Sequence, residues 1–411
     1  MKKRFLCLLL IVLALFAVTG CSLRSGQTTQ VDTPPQTTPA ASDTQLPAEV
    51  TADPAAETGE QPEPTPEPTP LPEPTPEPTP EPTPEPQPEY FTIHYIGDLT
   101  LTNHQYSTDF AKRMDGDYSY PFANVAHFFA DDEYTIGNLE CSFSDRNLYS
   151  ERTFAFRAPT EYANILLEGG VDFVTTANNH TNDFFEAGKQ DTWETLEAYH
   201  IPFGKNDEAQ IVTTPHGLRL GIYCFFSDAY GDFRPDLDKA LAAIEQLKND
   251  GADYIICAFH WGIELHVRPE QSAVDIAHAC IDAGADMIYG SHPHCLQPVE
   301  EYNGGLILYS MGNFCFGGHT EPSDPDTAIV EVTMKRDVDG TVTHDGYRLI
   351  PCCVSSRPVL EDYWGYMYND YRPTPYLEGT EAYDRALSKI DGSYTGGNGE
   401  ANYASWHESH G

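Results

Sequence analysis

Seven residues of this chain combine donor chemistry with a shared position: Asp98, Glu140, Asn179, His180, His260, His292 and His294. The set is carboxylate, amide and imidazole, with no thiolate in it. Such donors suit a divalent ion of the Mn, Fe, Zn or Mg kind. Histidine and carboxylate can also bridge two ions, which gives two-metal hydrolysis. His292-Pro293-His294 puts two imidazoles on one side of an extended chain, because side chains repeat every second residue, and the proline limits backbone freedom. Cys141 and Cys295 adjoin proposed ligands, but neighbours in an extended chain face opposite ways, so neither joins the set. Each member alone has a bland reading. His260 alone would be a core histidine, Asn178-Asn179-His180 a turn closed by its own side chains, and Glu140 a helix cap.

Their shared position is what lifts them above that reading. Apolar runs at Phe91–Ile96, Tyr134–Ile136, Val171–Thr176, Leu218–Phe226, Tyr254–Phe259, Met287–Tyr289 and Leu306–Tyr309 read as strands. Nearly every run ends in a polar or metal-ligand residue. Between them, Thr160–Glu168, Glu186–Tyr199, Leu237–Asn249 and Pro269–Ala283 read as helices. The first ends at Gly169-Gly170; the last opens on proline and closes at Gly284. Strand–helix alternation predicts an α/β domain with a largely parallel, covered sheet. Such sheets bind ligands beyond the carboxyl ends of their strands. The seven residues, spread over nearly 200 positions, would then meet in one crevice.

The ends of the chain predict where that domain sits. Lys2, Lys3 and Arg4 precede an apolar run, Phe5–Val18, with the proportions of a secretory signal. Val18-Thr19-Gly20-Cys21 resembles a bacterial lipobox, so residues 1–21 are expected to be a lipoprotein signal with lipidation at Cys21. No other stretch approaches the roughly 20 apolar residues of a membrane span. Residues 22–89 are mostly Thr, Pro, Glu, Gln and Ala, too apolar-poor to offset chain entropy, and are expected to be a disordered linker. Within it, Pro-Glu-Pro-Thr recurs from Pro62 to Pro86. At about 3.1 Å per residue in polyproline II, that repeat would reach roughly 80 Å. The expected domain occupies 90–391, with a last helix near Thr380–Ile390, and 392–411 would be a flexible tail. The expected location is therefore extracytoplasmic, held to the membrane by lipid on Cys21.

The chain carries a formal net charge of −40. With 13 of its 63 acidic and 4 of its 23 basic residues lying before Tyr90, the remainder stands at −31. That excludes nucleic acid and anionic lipid as general partners and is compatible with cations. Eight cysteines fall in the domain, several inside apolar runs and without a disulfide-scaffold spacing. Most read as buried thiols.

The motifs carrying these residues are Gly97-Asp98-Leu99-Thr100, Gly137-Asn138-Leu139-Glu140, Ala177-Asn178-Asn179-His180 with Asp183, His260-Trp261-Gly262 with Glu264, Gly290-Ser291-His292-Pro293-His294-Cys295-Leu296-Gln297, and Tyr309-Ser310-Met311-Gly312-Asn313-Phe314. In order and separation they resemble the CapA family, the poly-γ-glutamate capsule synthesis proteins, from about Tyr90 to Pro351 and more weakly to Asp391. That family is similar to the calcineurin-like metallophosphoesterases, which implies a four-layer α/β/β/α metallophosphatase-like sandwich. The resemblance implies one or two divalent ions. Asp98 and His294 would hold one, and Asn179, His260 and His292 the other, with Glu140 or Asn138 bridging or supporting them. His180 would be the acid, with Asn178 and Glu264 beside it in catalysis. The wider superfamily opens with Asp-x-His, where this chain has Asp98-Leu99-Thr100.

The function so implied is a cell-surface lipoprotein of the capsule-synthesis type: a metal-dependent hydrolase or transferase acting on an exported or cell-wall polymer. Polymer synthase components are further partners it would imply. The alternative is a polymer-binding or assembly protein with a structural metal, which the missing Asp-x-His histidine favours. A domain at −31 repels a polyanion such as poly-γ-glutamate unless metals or a local basic patch compensate. Arg157 and Arg268, near the motifs, could supply such contacts or equally form surface salt bridges, and a wall phosphopolymer or peptidoglycan fragment is the other substrate left open. Trp261 is expected either to stack on substrate or to close one wall of the cleft.

Overall fold

The computed structural model describes residues 85–104, 107–227 and 233–396. The expected signal, Cys21, nearly all of the linker and the end of the tail lie outside these. Among the described residues, no helix is long and apolar enough to cross a membrane.

In chain order the strands are β1 (Glu89–Thr100), β2 (Tyr134–Leu139), β3 (Ser142–Phe143), β4 (Arg157–Ala158), β5 (Phe173–Thr175), β6 (Phe203–Gly204), β7 (Glu208–Thr213) and β8 (Arg219–Phe226). They continue with β9 (Tyr254–His260), β10 (Met287–Ser291), β11 (Val299–Tyr302), β12 (Gly305–Leu308), β13 (Asn313–Phe316), β14 (Asp326–Arg336), β15 (Val342–Cys353) and β16 (Thr374–Pro375). The helices are α1 (Asp109–Met114), α2 (Ala126–Phe129), α3 (Ala163–Gly169), α4 (Phe185–Ala198), α5 (Leu237–Asn249), α6 (Gln271–Asp282), α7 (Arg357–Leu360) and α8 (Glu381–Ile390).

Two large sheets form, as the expected four-layer sandwich requires; the strand–helix alternation by itself pointed to one. The first runs β16-β15-β14-β1-β2-β5-β6, with β13 also on β1; the second runs β11-β12-β10-β9-β8-β7. Their central pairs are parallel, as predicted. The flanks β14, β15, β7 and β11 are antiparallel. These flanks escaped the pattern reading because they join as hairpin partners, without the crossover helix that marks a parallel strand.

Side-chain alternation turns the two sheets into four layers. Ile93, Ile136, Phe173 and Val330 from the first sheet pack against Leu220, Ile222, Ile256, Met287 and Leu306 from the second. The outward residues of β8 and β9, Tyr223, Phe225, Ile255 and Cys257, lie under Ala240, Ile244, Leu247, Val274 and Ala277 of α5 and α6. On the other side Leu99, Leu139, Val174 and Ile329 meet Phe110, Met114, Ile165 and Leu166. The architecture is thus an α/β/β/α sandwich. All seven residues of β9 are buried, as a strand covered on both faces requires.

A repeated device joins helix to strand. Gly170-Val171-Asp172, Gly251-Ala252-Asp253 and Gly284-Ala285-Asp286 each follow a helix, with the glycines at φ 73°, 79° and 101°. A positive φ reverses the chain without a Cβ clash. Each aspartate then caps the neighbouring strand. Its N–H donates to the carbonyl of Thr135, Arg219 or Ile255, and its carboxylate accepts the N–H of the same residue at 2.7–2.8 Å. These caps fix the amino ends of the parallel strands, and so the register in which the opposite ends emerge.

The expected tail boundary is softer than drawn. Buried Arg268 donates to the carbonyls of Gly392 and Tyr394, so the chain just past α8 is tied to the domain. Arg268 is therefore not a polymer contact; it is fully buried.

Candidate metal centre

The carboxyl ends of the central strands deliver the polar residues to one place. In β1, Asp98 stands opposite Asn138 of β2 and Asn313 of β13. Glu140 follows β2 directly, and its N–H donates to Leu99 O at 2.9 Å. In the second sheet His260 closes β9 opposite Ser291 of β10. Gly97 permits the tight approach here: a Cβ would sit 2.0 Å from the carbonyl of Gly312, to which Asp98 N donates at 2.9 Å.

The histidine pair reaches the site by a different route from the one expected. His292 and His294 have φ of 100° and 53°, so the segment is not extended. Pro293 sits between two left-handed residues, and the imidazoles are brought together by a turn, 5.8 Å between centroids. Non-glycine residues held there cost on the order of 1–3 kcal/mol each and gather at functional sites.

Ligand atoms of Asp98, Glu140 and His294 lie within 4.8 Å of one another, and so do those of Glu140, His260 and His292. A third trio, Glu264, His292 and His294, meets the same limit. Glu140 is common to the first two. Asn179 Oδ1 lies 2.9 Å from His260 Nε2, the spacing of about 3 Å set by two donors each roughly 2.1 Å from one ion. Four buried polar atoms here have no hydrogen-bond partner among the described residues: Asp98 Oδ2, Glu140 Oε1, Glu140 Oε2 and His292 Nδ1. Buried polar atoms in native proteins are nearly always satisfied, so this donor set fits a divalent ion.

The electrostatics agree. Burial pushes Glu140 well above the usual carboxylate range, with Asp98 adding to it. Burial alone would lower His294, but Glu140 and Asp98 lift it to about 10. Both describe a pocket short of positive charge. Burial, then the neighbouring imidazoles, hold His260 and His292 well below the ordinary histidine value. They are neutral at physiological pH and offer lone pairs.

The other expected site residues stand around these ligands. Asn138 Nδ2 donates to Asp98 Oδ1 at 2.9 Å, and its Oδ1 accepts from Asn178 Nδ2 at 3.0 Å. Both ends of the Asn138 amide are thus engaged, so it orients Asp98. Asn178 also donates to Leu139 O and accepts the N–H of His180, tying the two strand ends together. His180 Nδ1 lies 2.9 Å from Asp183 Oδ2, and Asp183 further accepts from Phe156 N and Arg152. Sequence reasoning gave Asp183 and Asn313 no role. Asn313 Oδ1 lies 2.8 Å from His294 Nδ1; the signal for it was a polar residue beyond the Leu306–Tyr309 run, like the others.

The centre opens on a cleft of about 360 Å³, whose lining includes Phe156, His180, Glu264, His294, Phe316 and His319. Trp261 is not part of it. Buried, it packs on Phe259 and Tyr309 and donates to Tyr309 O at 2.9 Å. Thr100, two residues after Asp98, is fully buried. The eight cysteines are buried free thiols. Burial pushes Cys141 up to about 12, which removes it as a thiolate donor.

A family model described as bacterial capsule synthesis protein PGA_cap matches residues 92–318. The capsule biosynthesis protein CapA of Bacillus anthracis is 28% identical over 278 residues, covering 60% of this chain and 64% of that protein. The chain thus spans less than two thirds of that relative. The PGA biosynthesis protein CapA of Bacillus subtilis (strain 168) is 26% identical over 266 residues, covering 60% of this chain and 68% of that protein. Among solved structures, a phosphatase from Mycoplasma pneumoniae aligns with TM-score 0.42 and 13% identity over 64% of this chain and 93% of that one. The Haemophilus influenzae NAD nucleotidase aligns with TM-score 0.38 and 12% identity over 79% and 68%.

Proposed function

Since this chain belongs to the bacterial capsule synthesis protein family PGA_cap, we propose that it is a metal-dependent hydrolase or transferase acting on an exported or cell-wall polymer. The observation that carries this is the set of four orphaned buried donor atoms around Glu140. Asp98, Glu140 and His294 would hold one divalent ion; Glu140, His260, His292 and Asn179 would hold a second. A bound divalent ion would polarise a phosphoryl or carbonyl oxygen.

The remaining chemistry belongs to the side chains. Asp183 fixes the His180 ring through Nδ1, which leaves Nε2 toward the cleft to hold or give a proton at the leaving group. Asn138 and Asn178 keep Asp98 and the Asn179–His180 turn in register. Phe156, 4.8 Å from His180 between ring centroids, shields that face from water. Glu264, exposed at the cleft, faces the open side of the His292–His294 pair.

The lipid anchor at Cys21 and the stalk belong to the same proposal and set the activity outside the membrane. Their test is incorporation of labelled fatty acid, lost in Cys21→Ser. The catalytic reading is tested by assaying the full chain with Mn, Fe or Zn on phosphoester and γ-glutamyl amide substrates beside His180→Ala. The expected result is metal-dependent turnover that drops about 10²- to 10⁴-fold in the variant. Metal binding with no turnover of either bond would instead favour the polymer-binding reading that Thr100 suggests.

A further inference from the structure

A second concavity lies on the far side of the strand that borders the metal cleft. Phe156 lines the cleft; Arg157, the next residue, lines a separate pocket of about 250 Å³ with Thr102, Ser107, Thr108, Tyr162 and Phe184. Successive residues of an extended chain face opposite ways, so one strand presents one wall to each concavity. The floor carries hydroxyls, a phenol and aromatic carbon. The pocket falls below the volume range of drug-sized ligand sites, which suits one unit or end group of a polymer.

Its cation is unusual for this protein. Eight other described arginines pair with a carboxylate. The half-buried Arg157 guanidinium makes no hydrogen bond or ion pair among the described residues. It lies 5.5 Å from the centroid of the Phe184 ring. The acid it influences, Asp145, spends its oxygens on Thr160 at 3.0 and 2.5 Å. In a domain at −31, an arginine left without a carboxylate beside hydroxyl donors is placed for an external anion. Its planar fork matches carboxylate and phosphate alike.

We propose that Arg157 and its pocket form an anion subsite that takes a carboxylate or phosphate group of the substrate polymer beside the metal cleft. The subsite rests on the polymer reading above and gives a strongly acidic domain its local means of holding a polyanion. It needs no metal, so its test is run in chelator. Calorimetric titrations of the full chain, Arg157→Gln and Arg157→Lys would use three probes: a γ-linked glutamate oligomer, a glycerol-phosphate oligomer and an uncharged N-acetylhexosamine oligomer. The expected result is that one anionic probe binds the parent, weakens tenfold or more in Arg157→Gln and recovers partly in Arg157→Lys; the probe that binds identifies the anion. Binding of neither anion to the parent, or equal binding to parent and Arg157→Gln, would overturn the subsite. Failure of metal-dependent turnover would leave these titrations unchanged, so the two readings fail separately.

Discussion

Glu140 Oε1 stands 3.6 Å from His260 Nε2, with both side chains buried. The two arise from different sheets, so this contact joins the sandwich halves at their carboxyl ends. A buried carboxylate without hydrogen bonds is costly to the metal-free protein.

Glu140→Gln should therefore raise the melting temperature of the metal-free protein by a few degrees, as relief of about 1–3 kcal/mol implies. Added Mn or Zn should stabilise the parent by mass action, about 2.7 kcal/mol at 100-fold over Kd, and the variant far less. Thermal melts with and without chelator measure both. A variant that melts lower than the parent in chelator would refute the unmet need for a cation at Glu140.

Asp183→Asn should leave metal content unchanged while lowering turnover about 10- to 100-fold, the usual loss when a group orienting a site residue is altered. Asp183 accepts from three donors, including His180, and touches no ligand trio. A change confined to KM would argue against a role in orienting His180.

Asp286 supplies a pH test away from the site. Burial, ahead of the opposing hydrogen bond from Ile255 N, raises its carboxyl to about 6. A carboxyl raised on folding favours the folded state fully below the unfolded value near 3.9, and that contribution fades as pH climbs through about 6. Denaturant titrations should therefore show the parent gaining on Asp286→Asn by up to about 3 kcal/mol between pH 7 and pH 4. A difference independent of pH would contradict the shift.

Lys389 should matter for the cleft wall. Its Nζ donates to both oxygens of Asp324 at 2.7 and 2.6 Å and to Asp326 at 2.8 Å, and Asp324 also lines the cleft. Lys389→Ala takes the cation from buried Asp324, while Asp326 keeps Arg385; the expected loss is about 3–5 kcal/mol. Chemical denaturation measures the loss, and limited proteolysis should find new cuts near α8.

The sequence made the strand ends legible because each buried parallel strand is a continuous apolar run closed by one polar residue. Asp98, Glu140, His260 and His292 all followed that rule. It failed where contacts are long-range. Whether Glu140 or Asn138 takes the central place was not legible, because the partners that engage both ends of the Asn138 amide, Asp98 and Asn178, lie 40 residues away on either side. Arg268 looked like a surface cation, but carbonyls 124 and 126 residues away hold it. The β14–β15 hairpin was missed because it joins without a crossover helix and because the half-exposed middle of β15 dilutes the apolar signal there.

The most direct measurement is divalent metal content of the full chain by elemental analysis, after aerobic and anaerobic reconstitution, beside Glu140→Gln and His292→Ala. The account predicts one to two equivalents of Mn, Fe or Zn in the parent and a clear fall in both variants. A folded parent that retains no divalent metal under either condition would contradict it.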